Sequence, residues 1–306
     1  MATSKAATLP YTTLDVFTKR PFSGNQLAVV REAEGLGRQA MQTIAAEFGY
    51  SETVFVTAED PAQRWARLAI FTPKMEIPFA GHPVIGAAVE LARRYSGTHE
   101  APERCSLGLE TGIGSLDVTV EPLSDDAPGA RFSLDQMPKT RRPATNLEAL
   151  AAALTLDDGA IDAERVLVSD LGVGFTIVPL RQAGALSAIQ ATRVSTGQLA
   201  AAGDPQAVYC VAPPTEAGRF QVRMFAPELG VREDPATGSA ATAFAGWIAL
   251  FEPDMARAGP IRIEQGRDLG RPSEITLSLT MTGDTLQAIE LGGHAVPMAE
   301  GRMRTQ

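Results

Sequence analysis

The chain has little of what disulfide, metal and nucleic-acid chemistry require. It carries two cysteines, Cys105 and Cys210, and three histidines, His82, His99 and His294, in 306 residues. The cysteines are too few and too widely separated for a disulfide framework or a Cys-x-x-Cys site, and the histidines have no ligand spacing. A reduced protein without metal or other cofactor is expected. Positive charge is also scarce, with 27 Lys and Arg against 36 Asp and Glu and a formal net charge of −9. No stretch gathers basic residues into a block that could neutralise a run of phosphates, which argues against nucleic acid as a partner. Long hydrophobic runs are missing too. Residues 84–92, the longest nearly apolar stretch, amount to half a membrane span and include Glu90. The first ten residues, MATSKAATLP, lack the apolar core of a secretory signal. A cytoplasmic location, with no membrane partner, is the default expectation.

What is present is an ordinary globular composition, 44% hydrophobic and 21% charged. The length exceeds what one hydrophobic core usually serves, so two domains of roughly 150 residues are expected. Periodicity places strands at 12–17 and 27–30 around a turn at 21–25, and a helix over 37–49. A β-branched and aromatic strand follows at 53–56, so Ser51 and Glu52 fall where the helix has ended and the strand begins. Another strand at 67–71, a loop over 72–80 and an apolar helix over 83–95 follow. A hairpin-like pair at 107–109 and 116–120 then flanks Gly112-Ile113-Gly114.

The polar, acidic segment 123–129, LSDDAPG, reads as a linker. It divides the chain into a first domain, 1–126, completed by about 288–306, and a second, 127–287. The second half reads as strands at 130–134, 165–169, 175–180, 207–212 and 220–225, with helices at 147–154 and 238–250. Strands at 261–265, 275–281 and 287–291 close the chain.

One pattern occurs twice. A strand runs into Phe71-Thr72-Pro73, then a loop, then His82-Pro83 and Gly86 opening an apolar helix. Later a strand runs into Phe225-Ala226-Pro227, then a loop, then Asp234-Pro235 and Gly238 opening another. Two similar domains facing one another across a cleft are expected, each with a buried helix. A helix N-terminus offers unpaired N–H groups and the positive end of the dipole, which suits a carboxylate or a developing oxyanion. Prolines at 83 and 235 suit a first helical turn, and Ser239 adds a hydroxyl donor. The alternative for Asp234 is plain N-capping. Glu52, at the lip of a strand among apolar neighbours, is placed to be partly desolvated, as a carboxylate that both takes and gives a proton must be. Its alternative is an exposed helix-terminal residue.

Five segments carry a family resemblance: DVFTKRPFSGNQLAVV (15–30), SETVFV (51–56), FTPKMEIPFAGHPVIGAA (71–88), FAPELGVREDPATGSAA (225–241) and QGRDLGRPSEI (265–275). A late Gly292-Gly293-x-Ala295-Val296 follows them. Together they resemble the PhzF-like phenazine biosynthesis isomerases, relatives of diaminopimelate epimerase. The resemblance implies an α/β (α+β) fold of two similar domains, each a curved, mostly antiparallel sheet wrapped around a central helix, with the C-terminal segment returning to the first domain. It implies a homodimer whose active site lies between the domains. It makes Glu52 the acid/base, with His82 and Asp234 as its catalytic companions, and the N–H groups of Gly81, Gly238 and Ser239 as the grip on a substrate carboxylate. The implied chemistry is cofactor-independent isomerisation of a small carboxylate, dihydrohydroxyanthranilate in the family's best-known member.

Asn25, in the turn after Gly24, either contacts substrate or bonds its own backbone. An epimerase or racemase on the same scaffold, and an inactive binding protein that keeps the fold, are the competing readings. A two-thiol racemase is disfavoured, since no cysteine falls in FAGHP or DPATGSA, and a hydrolase lacks the G-x-S-x-G elbow. The resemblance also places an arginine nearer Phe71 than Arg67 stands, which leaves an arginine contact with substrate unassigned. Arg271 either binds a ligand or, the favoured reading, forms half of a structural ion pair. His294 and the Gly292-Gly293 pair read as a tight turn, and His99 as exposed.

Overall fold

The computed structural model describes residues 8–97, 104–122, 128–157, 159–203, 207–216 and 218–305. The chain divides into two compact units, Met1–Phe132 with Gly293–Gln306, and Ser133–Gly292. The boundary expected at 126/127 lies outside the described residues, and the later one falls at 292/293.

In the first unit β1 (Thr8–Val16) runs antiparallel to β2 (Asn25–Val30), with Leu14 opposite Leu27 and Val16 opposite Asn25. After α1 (Arg38–Phe48), β3 (Glu52–Asp60) lies parallel to β2, and β4 (Trp65–Phe71) runs antiparallel to β3. The short β5 (Glu76–Ile77) returns along β4 and leads into α2 (Gly81–Ser96). β6 (Cys105–Thr111) is parallel to β4, and β7 (Gly114–Pro122) and β8 (Pro128–Leu134) continue antiparallel. Of the expected linker, 123–127 lies outside the described residues, while Pro128 and Gly129 already belong to β8.

α2 is buried from Gly81 through Arg93, which accounts for apolar residues on every face. Gly86 sets how closely it sits on the sheet. A Cβ there would lie 2.4 Å from Leu27 Cδ2 and 2.8 Å from Val16 Cγ2, closer than packed carbons approach.

In the second unit β9 (Lys139–Arg141) and β10 (Leu167–Asp170) are antiparallel, with α3 (Leu147–Ala153) between them in sequence. β11 (Gly174–Pro179) runs antiparallel to β10 and parallel to β12 (Val208–Val211), with the short α4 (Ala183–Ala188) and α5 (Thr196–Ala201) in the crossover. β13 (Arg219–Ala226) is antiparallel to β12 and to β14 (Val231–Asp234), and parallel to β15 (Ile261–Gln265). α6 (Gly238–Phe251) and the short α7 (Pro253–Ala258) come between β14 and β15. β16 (Ser273–Thr282) pairs with β15, and then with residues 285–292 of β17 (Thr285–Arg304). The rest of β17 pairs with β1 in the first unit, Val16 opposite Ala295 and Thr8 opposite Arg304.

β12 is buried on both faces, hence its unbroken run of apolar residues. Val208 and Cys210 pack with Leu150, Leu186 and Leu199 of the short helices, while Tyr209 points the other way and its ring lies 5.8 Å from that of Phe244 in α6. Phe244 also meets Phe220 edge-on at 5.1 Å and stacks on Trp247 at 5.2 Å.

The same run of ladders occurs in both units: antiparallel, parallel, antiparallel, a short antiparallel return, a buried helix, a parallel ladder and two more antiparallel ones. β1 to β8 with α2 correspond in order to β10 to β17 with α6.

Three local expectations change. Pro235 does not sit in a first helical turn: β14 ends at Asp234, and α6 starts at Gly238, as the 238–250 reading has it, with Thr237 as its N-cap. Gly292, Gly293 and His294 are not a turn but lie within β17, where the buried His294 accepts the Phe17 N–H on its carbonyl at 2.7 Å. Strands β5, β9 and β14 and helices α4, α5 and α7 were not foreseen, because segments of two to six residues carry too little periodicity to register.

Candidate active site

In the first unit the SET segment enters β3 with Glu52 as its first residue, directly opposite Leu27 of β2. The strand reverses side chains at each step, so Thr53 turns into the core while Glu52 stays at the lip, 16% exposed. Glu52 is therefore not an outer-surface residue. His82 is the second residue of α2 and buried, and its Nε2 lies 3.4 Å from Glu52 Oε2. At that length the two form a close contact rather than a strong hydrogen bond.

Burial lowers the His82 imidazole from 6.5 to about 3, against a smaller opposing effect of its hydrogen bond to the Gln26 backbone carbonyl. The ring is thus neutral at pH 7. Nε2 has no hydrogen-bond partner, so it is Nδ1–H that donates to Gln26. That bond fixes the tautomer and leaves Nε2 as an acceptor facing Glu52. Asn25, one residue before Gln26 and buried, is the first residue of β2. Gly81, also buried, opens α2 after an Ala80 N-cap that has no side-chain oxygen to offer the first N–H groups.

In the second unit Asp234 ends β14 and is buried, with Oδ2 accepting the Thr237 hydroxyl proton at 2.7 Å. Thr237 caps α6 by position, without a side-chain hydrogen bond to the helix, and Gly238 and Ser239 form the first turn. Gln265, at the end of β15, bonds to both Thr237 and the Asp234 backbone. Tyr209 is fully buried in the register row Tyr209–Met224–Asp234, where burial and the charge of Asp234 push its phenol up. Sequence reading missed Gln26, Thr237 and Gln265. The last two sit inside recognisable segments, but nothing in their spacing marks them as partners of Asp234.

The remaining candidates fall elsewhere. The buried Cys210 thiol is pushed up to about 12 and the half-buried Cys105 is also raised, so neither supplies a thiolate near neutral pH. Arg67 is an exposed side chain pairing with Glu110 at 3.1 Å. His99 lies outside the described residues. Among the described residues no group of three or more His, Cys, Asp or Glu side chains could hold a metal, and no helix is long and apolar enough to cross a membrane. A cavity of about 240 Å³ in the second unit is lined by Arg165, Arg181, Phe220 and Trp247. Trp247 lies nine residues into α6, roughly 13 Å from its start at 1.5 Å per residue. The two arginines are committed to Glu252 and Asp162. The cavity lining includes none of the candidate site residues above.

A family model described as phenazine biosynthesis-like protein matches residues 14–301. The chain is 39% identical to an uncharacterised isomerase of Mesorhizobium japonicum, over 96% of this chain and 98% of that one. It is 35% identical to the trans-2,3-dihydro-3-hydroxyanthranilate isomerase of Pseudomonas aeruginosa, over 95% and 98%. Among solved structures, the Bacillus anthracis phenazine biosynthesis protein of the PhzF family superposes with a TM-score of 0.81 at 25% identity, over 97% and 99% of the two chains. A hydroxyproline epimerase from Agrobacterium vitis shares the fold at 12% identity, with a TM-score of 0.59 over 97% and 91%.

Proposed function

The chain belongs to the phenazine biosynthesis-like protein family, an isomerase among isomerases, and from that premise we propose that it moves a proton on a small carboxylate substrate with Glu52 as acid and base. The observation that carries this reading is the contact between Glu52 Oε2 and Nε2 of a buried, neutral His82. With Nδ1–H given to Gln26, Nε2 presents a lone pair. An ionised carboxylate facing it is repelled, whereas one proton between them satisfies both groups. The proton that Glu52 takes from substrate carbon is then shared with Nε2, which draws the newly protonated carboxyl toward one position. When Glu52 takes a proton from substrate carbon, the same imidazole stabilises the product of that transfer.

The Gly81 N–H on one helix, and the Gly238 and Ser239 N–H groups on the other, take the substrate carboxylate in this reading, and Asn25 and Asp234 its amino or hydroxyl groups. Trans-2,3-dihydro-3-hydroxyanthranilate, named for the Pseudomonas aeruginosa relative, is the substrate to try first. A homodimer working without cofactor in the cytoplasm belongs to the same proposal. The ladder repeat favours isomerisation over a symmetrical two-base racemisation. Thr53 stands opposite Phe71 in the first unit as Val208 stands opposite Phe225 in the second, so the counterpart of Glu52 is Ala207, which has no acid.

The test is solvent-deuterium incorporation into that compound and other small cyclic and amino carboxylates, followed by mass spectrometry and NMR. The parent protein shifts a double bond as deuterium enters, whereas an epimerase inverts one carbon and an inactive binding protein incorporates none. Glu52→Gln keeps shape and hydrogen bonding but cannot shuttle the proton. Its exchange falls on the order of 10²- to 10⁴-fold with binding retained. Exchange at the parental rate removes Glu52 from the mechanism.

A further inference from the structure

Gln265 and Thr237 form a closed hydrogen-bond clamp around Asp234, and its direction is set by two backbone groups. Gln265 Oε1 accepts the Thr237 backbone N–H at 3.2 Å, and Gln265 Nε2 donates to the Asp234 carbonyl at 2.8 Å. A backbone N–H can only donate and a carbonyl can only accept, so the amide of Gln265 has one possible orientation. Nε2 also donates to Thr237 Oγ1 at 2.9 Å. The Thr237 hydroxyl, receiving one proton, directs its own to Asp234 Oδ2 at 2.7 Å. All three residues are buried, Gln265 at 2% exposure.

The backbone holds the clamp in register. Gly266, at φ +75°, follows Gln265, and a Cβ there would lie 2.5 Å from the Pro235 carbonyl oxygen and 2.4 Å from that of Arg271. The chain leaving β15 is thereby pressed against the chain leaving β14, a contact that only glycine permits.

We propose that Gln265, acting through Thr237, is a positioning residue of the reaction: it fixes the Asp234 carboxylate and the first turn of α6 in the orientation that receives substrate, with Asp234 Oδ2 held as a hydrogen-bond acceptor. This rests on the isomerase reading above, in which Asp234 and the Gly238–Ser239 turn meet substrate. Neither clamp residue needs to touch the substrate. A buried, fully directed chain of hydrogen bonds is suited to hold a functional group to the fraction of an ångström that catalysis demands.

The substitutions that test this keep volume and change hydrogen bonding. Thr237→Val removes the hydroxyl, Thr237→Ser keeps it, and Gln265→Glu replaces the donor Nε2 by an acceptor that turns the Thr237 proton away from Asp234. With trans-2,3-dihydro-3-hydroxyanthranilate in D2O, Thr237→Val and Gln265→Glu are expected to lower kcat per folded molecule about 10- to 100-fold, the scale of a misplaced catalytic group. KM changes less than kcat, and Thr237→Ser recovers the parental rate to within about threefold. A purely structural clamp predicts instead a lower melting temperature with kcat per folded molecule unchanged. That result, or a Thr237→Ser protein as slow as Thr237→Val, overturns the proposal.

Should the parent protein incorporate no deuterium, the isomerase reading fails on this substrate, and crystal structures of the parent and of Thr237→Val decide the clamp separately. Rotation of the Asp234 carboxylate out of its place supports positioning. A carboxylate unmoved to within about 0.5 Å overturns it.

Discussion

Glu52 and His82 show how much a side chain's chemistry depends on its setting. The histidine at 82 was legible as a polar residue at a helix start, and Glu52 as a carboxylate at a strand lip. Their mutual contact was not legible, since it requires the start of β3 and the start of α2 to be brought together by the sheet. The state of the ring has a thermodynamic signature. His82 titrates near 6.5 in an unfolded chain and at about 3 when folded. Between those values the unfolded chain binds a proton that the folded chain refuses. The group's contribution to stability is therefore complete above about pH 6.5 and declines by about 1.4 kcal/mol per unit as pH falls toward 3. His82→Gln keeps a neutral polar side chain without that titration. Urea midpoints of the variant are expected to fall less between pH 7 and pH 4 than those of the parent, and equal slopes would show that His82 is not held neutral.

Among the elements, α2 best shows what a sequence pattern conceals. Glu90 was legible only as a charge interrupting an apolar run, a reason to reject a membrane span. It is in fact fully buried and pinned on several sides. Thr12 donates to its Oε1 at 2.8 Å, Arg93 donates to Oε2 at 2.9 and 3.1 Å, and Arg31 Nε lies 3.7 Å away. Arg93 also pairs with Glu300, so this end of α2 is tied to β1 and to the last strand. Glu90→Ala leaves two buried guanidinium groups without their shared anion and is expected to cost about 3–5 kcal/mol, read from urea denaturation. A loss below about 1 kcal/mol would mean that the network relaxes into water at little cost. At α6 the proline cue misled for a related reason. Pro before a helix is permitted rather than required, and the β13–β14 return, which pairs Met224 with Asp234, keeps the strand to Asp234 and leaves Pro235 in the connection ahead of Gly238.

For the whole molecule, β17 has the largest consequence. It closes the ladder sequence of the second unit through residues 285–292 and then supplies β1 with a partner along its full length in the first. A chain ending at Gly292 loses buried His294 and Ala295 together with that ladder. Its first unit is expected to lose its cooperative melting transition by circular dichroism. A truncated protein that melts at the parental midpoint would show that β1 needs no such partner. This return was expected from the family resemblance but not from periodicity, which carried the last strand only to residue 291.

The sequence by itself determined the duplicated strand, loop and helix plan, the two buried central helices, the family, and the placement of Glu52 at the head of a strand. These follow from hydrophobic period, turn residues and motifs, all of which are local. The tertiary structure alone decided that Glu52 meets a neutral His82 whose tautomer is set by Gln26, that Glu90 is a buried ion pair, and that Gln265 clamps Asp234 through Thr237. Each of these joins segments far apart in the chain by hydrogen bonds a few ångströms long. Such contacts exist only once strand register and helix packing have been settled, and no period within a single segment encodes them.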